Sequence, residues 1–324
     1  MRFSNTPKRH SLPPLLQIAA YVALLTLTFC TLGCSTELST SSSIFGMSGD
    51  LEGYWIRESD EYATMVMHIQ RKNDKSYSAR LLHIPVAGLM YGFTLGDEKL
   101  RDVISTAEGR VEFEGQNLVR LPDTEPYYND VLITLLDSNK LFMQEKVHTS
   151  GIGAKQHWHR ISNNSAEMAY VHFGEAKMAL ERGDYSTAGT LLAKAAKTTP
   201  KDASLLNDLA WTLAVDIRSE IRSPEEALQL ARKACELDRN ASYLDTLAAA
   251  QAAQGNFSEA IVTEEKAIEL LEEVDFNQPD SSATEEYLTR NFGVLYAALH
   301  IKPSYLKDFS HRLELYRANK PYLE

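Results

Sequence analysis

Hydrophobic and polar positions alternate in short runs between residues 51 and 161, and the runs are rich in β-branched and aromatic side chains. This pattern predicts β-strands. The breaks KNDK, LGDE, AEG and LDSN supply the Gly, Asn and Asp residues that are typical of tight turns. Only the stretch around Gly88 to Tyr91 has a possible helical period. Eight or nine strands joined in sequence predict an antiparallel barrel, closed or nearly closed; the candidates are EGYWIRE, ATMVMHIQR, SYSARLLHI, LRDVIST, RVEFEG, NLVRL, DVLITLL, KLFMQEKV and KQHWHRI.

From Glu167 onward the apolar positions recur with a helical period, and the chain repeats itself. The string ERGDYSTAGTLLAKAAKTTPKD aligns with AQGNFSEAIVTEEKAIEL when Gly183 is laid on Gly255. Between them, SPEEALQLARKACELD supplies Ala227 and Ala234 at the same spacing. The chain therefore contains three related units between about residues 169 and 271. The matched pairs of the alignment are Tyr185 with Phe257, Ala188 with Ala260, and Ala195 with Ala267.

These units resemble the tetratricopeptide repeat family, a helix-turn-helix unit of about 34 residues. The resemblance implies that Ala188, Ala227 and Ala260 lie where the two helices of each unit cross, and that Pro200 ends the first unit. Unit one departs from the pattern at Glu175, where Leu is usual, so its first helix is expected to be partly exposed at the domain junction. Unit two carries an inserted VDIRSEIRS stretch between its helices.

The family binds extended peptides or helices in a concave groove lined by the first helix of each unit. Members that bind chaperone tails clamp a carboxylate there with several Lys, Arg and Asn residues. This chain offers Lys177 and Asn207 only, so the resemblance does not support that specificity. The groove positions implied by the resemblance are Phe173 and Lys177 in unit one, Asn207 and Trp211 in unit two, and Asp245 and Ala249 in unit three.

Trp211 has two interpretations. As a groove residue it would be an aromatic anchor for a partner. Alternatively, the VDIRSEIRS insertion or a C-terminal helix folds over the ring and buries it as core. Two helices are predicted after the linker FNQPDSS, at 283–300 and 303–317. The second is expected to cap the stack, with Leu313 and Tyr316 turned inward and its charges outward.

The start of the chain has the layout of a secretory signal. Basic residues precede an apolar run at 15–29, and small residues follow it. The string TLGC at 31–34 resembles the lipobox of bacterial lipoproteins, in which the Cys is lipidated and becomes the first residue. Cys34 is thus predicted to be a lipid anchor, with plain signal cleavage as the alternative. The predicted boundaries are 1–33 for the signal peptide, 34–47 for a Ser/Thr-rich tether, 48–162 for the barrel domain and 166–324 for the helical domain.

Composition supports a two-domain protein with an acidic surface. Three of the 33 basic residues and none of the 44 acidic ones precede Cys34, which leaves 30 basic and 44 acidic residues and a net charge of −14. Such a surface repels phosphate backbones, so no nucleic-acid partner is expected. Roughly 290 mature residues exceed one typical core. The predicted fold is multidomain, all-β plus all-α: an antiparallel β-barrel followed by a tetratricopeptide α-solenoid.

The sequence supplies no constellation for catalysis. It contains no Ser-His-Asp arrangement, phosphate-binding Gly loop or HExxH string. His157 and His159 share one face of a strand without an identifiable third ligand, so a polar outer face explains them and no metal is expected. Adjacent acidic pairs such as Glu264 and Glu265 are interpreted as solvated helix positions, and Cys235 as a small buried residue. No enzymatic activity or cofactor is predicted.

The sequence therefore predicts a non-catalytic, lipid-anchored protein of the bacterial cell envelope that recruits a protein or peptide through the repeat groove. Gly53 and Trp55, with a late Trp158, resemble the Gly-x-Trp start of calycin-type barrels such as lipocalins. That resemblance leaves two possibilities for the barrel: a side-chain-filled structural domain, or a carrier of a small apolar ligand with the repeats as docking platform.

Overall fold

A computed structural model describes most of the chain after residue 49, within one compact unit. The predicted signal peptide, the tether with Cys34, and the predicted helix at 283–300 lie outside the described residues. No helix in the described part of the chain combines the length and apolar character needed to cross a bilayer. The described residues are 50–74, 76–106, 111–120, 125–146, 155–198, 201–273 and 304–324.

The first half is a closed barrel of eight antiparallel strands, as predicted. Each strand pairs with the next in sequence, and β8 returns to pair with β1 through Trp55 opposite Arg160. The predicted strands RVEFEG and NLVRL form one strand, β5, so the barrel has eight strands and not nine. A short helix, α1 (Val86–Met90), lies between β3 and β4. The strands are β1 (Gly53–Glu58), β2 (Val66–Asn73), β3 (Ser76–His83), β4 (Glu98–Ser105), β5 (Glu112–Val119), β6 (Tyr127–Asp137), β7 (Lys140–Glu145) and β8 (Lys155–Arg160).

Large side chains fill the barrel interior. Trp55 and Trp158 are both fully buried. The Trp55 indole donates a hydrogen bond to the Leu51 carbonyl at 2.8 Å, and the Arg160 guanidinium covers its ring at 4.3 Å from the centroid. The same hydrophobic cluster holds further buried side chains from every strand, among them Met67, Ile69, Leu81, Leu100, Phe113, Ile133 and Leu141.

The second half consists of helices, six of which are joined pairwise by short connections. The described α8 occupies 304–317 and confirms the last predicted helix. The other helices are α2 (Met168–Glu181), α3 (Tyr185–Lys197), α4 (Ala203–Val215), α5 (Pro224–Leu237), α6 (Ala241–Ala253) and α7 (Phe257–Glu273).

The connections within the pairs follow from local chemistry. Gly183 and Gly255 have φ values of +76° and +82°, which residues with a Cβ atom rarely adopt. These glycines therefore end α2 and α6. Between the pairs, Asp202 and Asn240 each accept a hydrogen bond from the backbone N–H of the third residue of α4 and α6, respectively, and so cap these helices. The small residues expected between helices are all fully buried: Ala188, Ala195, Ala227, Ala234, Ala260 and Ala267.

The barrel packs directly on α2. The side chains of Val66 and Leu82 on the outer face of the barrel share one hydrophobic cluster with Val171. Glu175, the predicted departure from the repeat pattern, accepts a 2.7 Å hydrogen bond from the Tyr54 hydroxyl of β1. The barrel therefore supplies the hydrogen-bond partner of this polar residue.

Gly174 sets the closest approach between α2 and the barrel, and replacing it tests that contact. A Cβ at this position would overlap the Leu82 carbonyl oxygen of β3. We expect Gly174→Ala to lower the free energy of unfolding by about 1–3 kcal/mol, because the helix must move off the strand. Urea denaturation of the full chain measures this, with the exposed Glu181→Ala on the same helix as control. Unchanged or increased stability for Gly174→Ala would contradict the described packing.

Candidate peptide-binding surface

The predicted groove residues lie on α2, α4 and α6, but they are not equally accessible. Phe173 is only 3% exposed and packs in the core, while the Lys177 ammonium beside it is exposed and lies 5.4 Å from the ring centroid. Asn207 and Trp211 are half-buried on α4. Asp245 is 5% exposed and Ala249 is also buried. Thus Lys177, Asn207 and Trp211 keep surface available to a partner.

Asp208 joins these residues, although the sequence did not single it out. Its side chain is exposed, yet desolvation by the surrounding helices raises its pKa to about 6, against the opposing effects of Lys177 and an Asn207 hydrogen bond. The Asn207 Oδ1 atom has no hydrogen-bond partner among the described residues. We call Lys177, Asn207, Asp208 and Trp211 the groove face.

Trp211 contacts residues from the far end of the described chain. Its indole N–H donates a 2.7 Å hydrogen bond to Oε1 of Glu324, and its ring lies 5.9 Å from that of Tyr322. The Arg312 guanidinium of α8 lies 5.2 Å from the Trp211 ring centroid and 5.3 Å from that of Tyr322. The indole is therefore neither a free anchor nor a fully buried core residue.

The 321–324 segment lies along the end of α4. The Glu324 N–H donates to the Val215 carbonyl, and the Ile217 N–H donates to the Glu324 carbonyl, both at 2.9 Å. Val215 ends α4, and Ile217 belongs to the VDIRSEIRS insertion. The insertion thus pairs with the segment that contacts Trp211, and Arg312 of α8 lies beside the same ring.

A buried charge cluster joins α6, α7 and α8. Arg312 donates two hydrogen bonds to Asp245, at 2.6 and 3.1 Å, and both residues are buried. Glu264 is completely buried beside Asp245, and its carboxyl, when protonated, donates a hydrogen bond to the Asp245 carboxylate. Burial, with the neighbouring Asp245 carboxylate, raises the pKa of Glu264 well above its ordinary value. We call Asp245, Glu264, Arg312 and the fully buried Tyr316 the charge cluster.

This cluster confirms one expectation for α8 and corrects two others. Leu313 and Tyr316 point inward, as predicted. The expectation that the charges of α8 face outward is wrong for Arg312, because its guanidinium pairs with Asp245 under the helix. The interpretation of Glu264 as a solvated residue is also wrong, because α8 covers it, whereas its neighbour Glu265 is half exposed.

Arg312, Tyr322 and Glu324 were not predicted as contacts of Trp211. One signal was present: Arg312 precedes Leu313 and lies four positions before Tyr316, so helical spacing places it beside the inward face. For Tyr322 and Glu324 the sequence offered no such signal, since they follow α8 without regular structure.

The two histidines of β8 have separate partners on the outside of the barrel. His159 lies between Glu58 and Glu167, with its ring nitrogens 3.0 and 2.8 Å from their carboxylates. His157 instead packs against Phe142. Within the described residues no group of three or more His, Cys, Asp and Glu side chains could hold a metal. His148 lies outside the described residues.

Cys235 has no features of a reactive thiol. It is half-buried on α5, and its Sγ lies 3.3 Å from the Tyr243 carbonyl that accepts its hydrogen bond. Burial raises its pKa to about 11, so the thiol is protonated at neutral pH. Its role is packing.

The barrel offers clefts on its outside. One is lined by Glu58, Lys140 and His159, and another lies between Asp97 and Met178. Inside, one end of the barrel is polar: buried Lys99 donates a 3.0 Å hydrogen bond to the Leu118 carbonyl, and burial lowers its pKa to about 7. The rest of the interior is occupied by the apolar side chains described above.

No family model matches the chain, and a search of curated proteins finds no significant match.

Proposed function

We propose that this chain is a non-catalytic, lipid-anchored protein of the bacterial cell envelope, whose helical half is a tetratricopeptide array that recruits a protein partner through its groove face. The observation that carries the proposal is the 321–324 segment, which lies on Trp211 and pairs by backbone hydrogen bonds with the end of α4. A surface that holds an extended piece of its own chain has the donors, acceptors and aromatic contact needed to hold an extended peptide.

The polar part of the groove face supports the same proposal. Lys177 and Asp208 are exposed and offer both charge signs to a partner. These side chains belong to helices whose other faces are packed in the core, so they are held in place by rigid elements.

The barrel fits the role of a spacer better than that of a carrier. Its buried Trp55, Phe113 and Trp158 occupy the interior volume that an apolar ligand would need. Its outer face packs on α2 and hydrogen-bonds Glu175, so the barrel also covers the first helix of the array, as terminal repeats require.

The anchor is tested at Cys34. We expect Cys34→Ser to move the protein from the membrane fraction to the soluble fraction without unfolding it, because several acyl chains hold a protein stably in a bilayer and none would remain. Fractionation with a salt wash, followed by circular dichroism of the released protein, measures both effects. Cys30→Ser is the matched control and should stay with the membrane. Retention of the Cys34→Ser variant would contradict the lipid anchor.

The partner site is tested at Trp211. We expect Trp211→Ala to weaken the binding of a partner, first identified by cross-linking the native protein in its membrane, by about 2 kcal/mol. Because the ring is half-buried, the stability of the variant should fall less than the roughly 3–5 kcal/mol typical of a core aromatic. Val262→Ala, an exposed apolar residue on α7, serves as control. Equal partner binding by both variants would contradict the groove face as the interface.

A further inference from the structure

The end of α4 offers a backbone donor and acceptor pair to a neighbouring strand. The carbonyl of Val215 belongs to the last turn of the helix, where carbonyls lack helical partners, and the Ile217 N–H lies just beyond. Glu324 uses both groups, at 2.9 Å each, in the pattern of one bridge between parallel strands. This pairing requires only an extended backbone and no particular side chain.

Two side-chain contacts add selectivity to that pairing. The Tyr322 ring packs against both the Trp211 ring and the Arg312 guanidinium, and the Glu324 carboxylate accepts the Trp211 indole hydrogen bond. The Tyr322 hydroxyl also donates to the other Glu324 oxygen at 3.0 Å. Residues 322 and 324 lie on the same side of an extended chain, whereas Leu323 between them is 39% exposed. The surface therefore accepts an aromatic and an acidic side chain two positions apart.

The 321–324 segment is held much less firmly than the helix before it. Tyr316 and Phe309 of α8 are buried in the clusters that α8 forms with α6 and α7. Beyond α8, Tyr322 is half-buried and Glu324 is exposed, and neither belongs to a helix or strand. The buried side chains that dock α8 on α6 and α7 lie outside the segment, so its release from Trp211 would leave them in place.

We infer that the surface formed by Trp211, Val215, Ile217 and Arg312 is a docking site for an extended segment of a partner protein that carries an aromatic and an acidic residue two positions apart, and that the chain's own 321–324 segment occupies it until the partner displaces it. This inference rests on the proposed function and specifies its partner chemistry. Tethering to α8 gives the segment an effective concentration on the order of mM, so it competes strongly with a free peptide. A second copy of the chain is a less suitable occupant. Only a few residues connect its 321–324 segment to its own α8, which is docked on its own helices, so the segment could not reach far toward another molecule.

The test opens the site in the full chain and offers it a defined peptide. The opened variant carries Tyr322→Ala and Glu324→Ala, and Leu323→Ala is the matched control within the segment. The probe is a fluorescein-labelled, amidated peptide with the sequence ANKPYLE of residues 318–324, and the control peptide has Ala at the Tyr and Glu positions. Binding is measured by fluorescence anisotropy. Acrylamide quenching provides an independent readout, because Trp55 and Trp158 are fully buried and Trp211 is the accessible indole.

We expect the probe to bind the opened variant at least tenfold more tightly than the parent or the Leu323→Ala control, and to reduce quenching of Trp211. Adding Trp211→Ala should weaken probe binding at least tenfold, and the control peptide should not bind. The single variant Glu324→Ala should bind the probe with an intermediate affinity. Because Glu324 is exposed, this variant should fold normally and provides the test if the double variant folds poorly. Equal probe affinity for the parent and the opened variant would overturn the inference, and so would probe binding that Trp211→Ala does not weaken. So would light scattering that finds a dimer of the parent which the opened variant cannot form, since the occupant would then be a second copy.

The two proposals fail in different ways. If the opened variant takes up the probe but no protein cross-links to the groove face in the membrane, the docking chemistry stands and the proposed function fails. If a partner cross-links to the groove face but the probe does not bind the opened variant, the proposed function stands and this inference fails.

Discussion

Replacing Arg312 by methionine is expected to lower the free energy of unfolding by about 3–5 kcal/mol, because the change leaves the buried Asp245 carboxylate without its partner. The Arg312 guanidinium makes both hydrogen bonds to Asp245 and contacts the rings of Trp211, Phe309 and Tyr322. Methionine keeps most of the side-chain volume, so the loss reports the missing charge and hydrogen bonds. Urea denaturation followed by far-ultraviolet circular dichroism measures it.

Arg317→Met on the same helix is the matched control. Arg317 pairs with Glu265 at 2.8 Å, a distance similar to that of the Arg312 pair, but both partners are about half exposed. An exposed pair contributes only about 0–1 kcal/mol. Similar losses for the two variants would contradict the described burial of Arg312 under α8.

Replacing Glu264 by glutamine is expected to stabilise the protein at neutral and alkaline pH. Burial and Asp245 raise the pKa of Glu264, so the folded chain holds a proton there that the unfolded chain releases above a pH of about 4.5. The stability contributed by this group is therefore fully present below that pH and falls as the pH rises toward the raised folded pKa. One such proton changes the free energy of unfolding by up to about 1.4 kcal/mol per pH unit.

Glutamine resembles the protonated carboxyl in shape and does not titrate, so Glu264→Gln should remove that slope. The difference from the parent should be small near pH 4.5 and grow steadily toward pH 9 in denaturation measured at each pH. Glu265→Gln, its exposed neighbour, should show no such trend. Parallel pH profiles for the parent and Glu264→Gln would mean that Glu264 is ionised in the folded protein.

The barrel was predictable because alternation and turn chemistry are local signals. The prediction of eight or nine strands included the observed eight, and the one surplus boundary between candidate strands has a physical cause at Gly115. The sequence suggested a break there, but a Cβ at this position would collide with Val103 of β4, so the glycine allows close approach inside one continuous strand. At Gly183 and Gly255, by contrast, the glycine does mark a break, because each lies between two helical runs.

Contacts between distant residues were not predictable from one sequence. Glu264 and Glu265 are adjacent and chemically identical, and only the docking of α8, some forty residues later, buries the first and leaves the second exposed. Glu175 looked like a departure from the repeat pattern until Tyr54, 121 residues earlier, supplied its hydrogen bond. Helical spacing left two interpretations of Trp211 open, and it contained no information about Tyr322 and Glu324, which contact the half-buried ring.

The most direct test of the proposed function is site-specific photo-cross-linking of the full chain in its native membrane. A photoreactive amino acid replaces Asn207 on the groove face in one variant and Val262, exposed on α7, in the other. The account predicts a discrete cross-linked protein at position 207 that is missing at position 262 and is lost when Trp211→Ala is added. Absence of any adduct at position 207, or the same adducts at both positions, would contradict recruitment of a protein partner through this face.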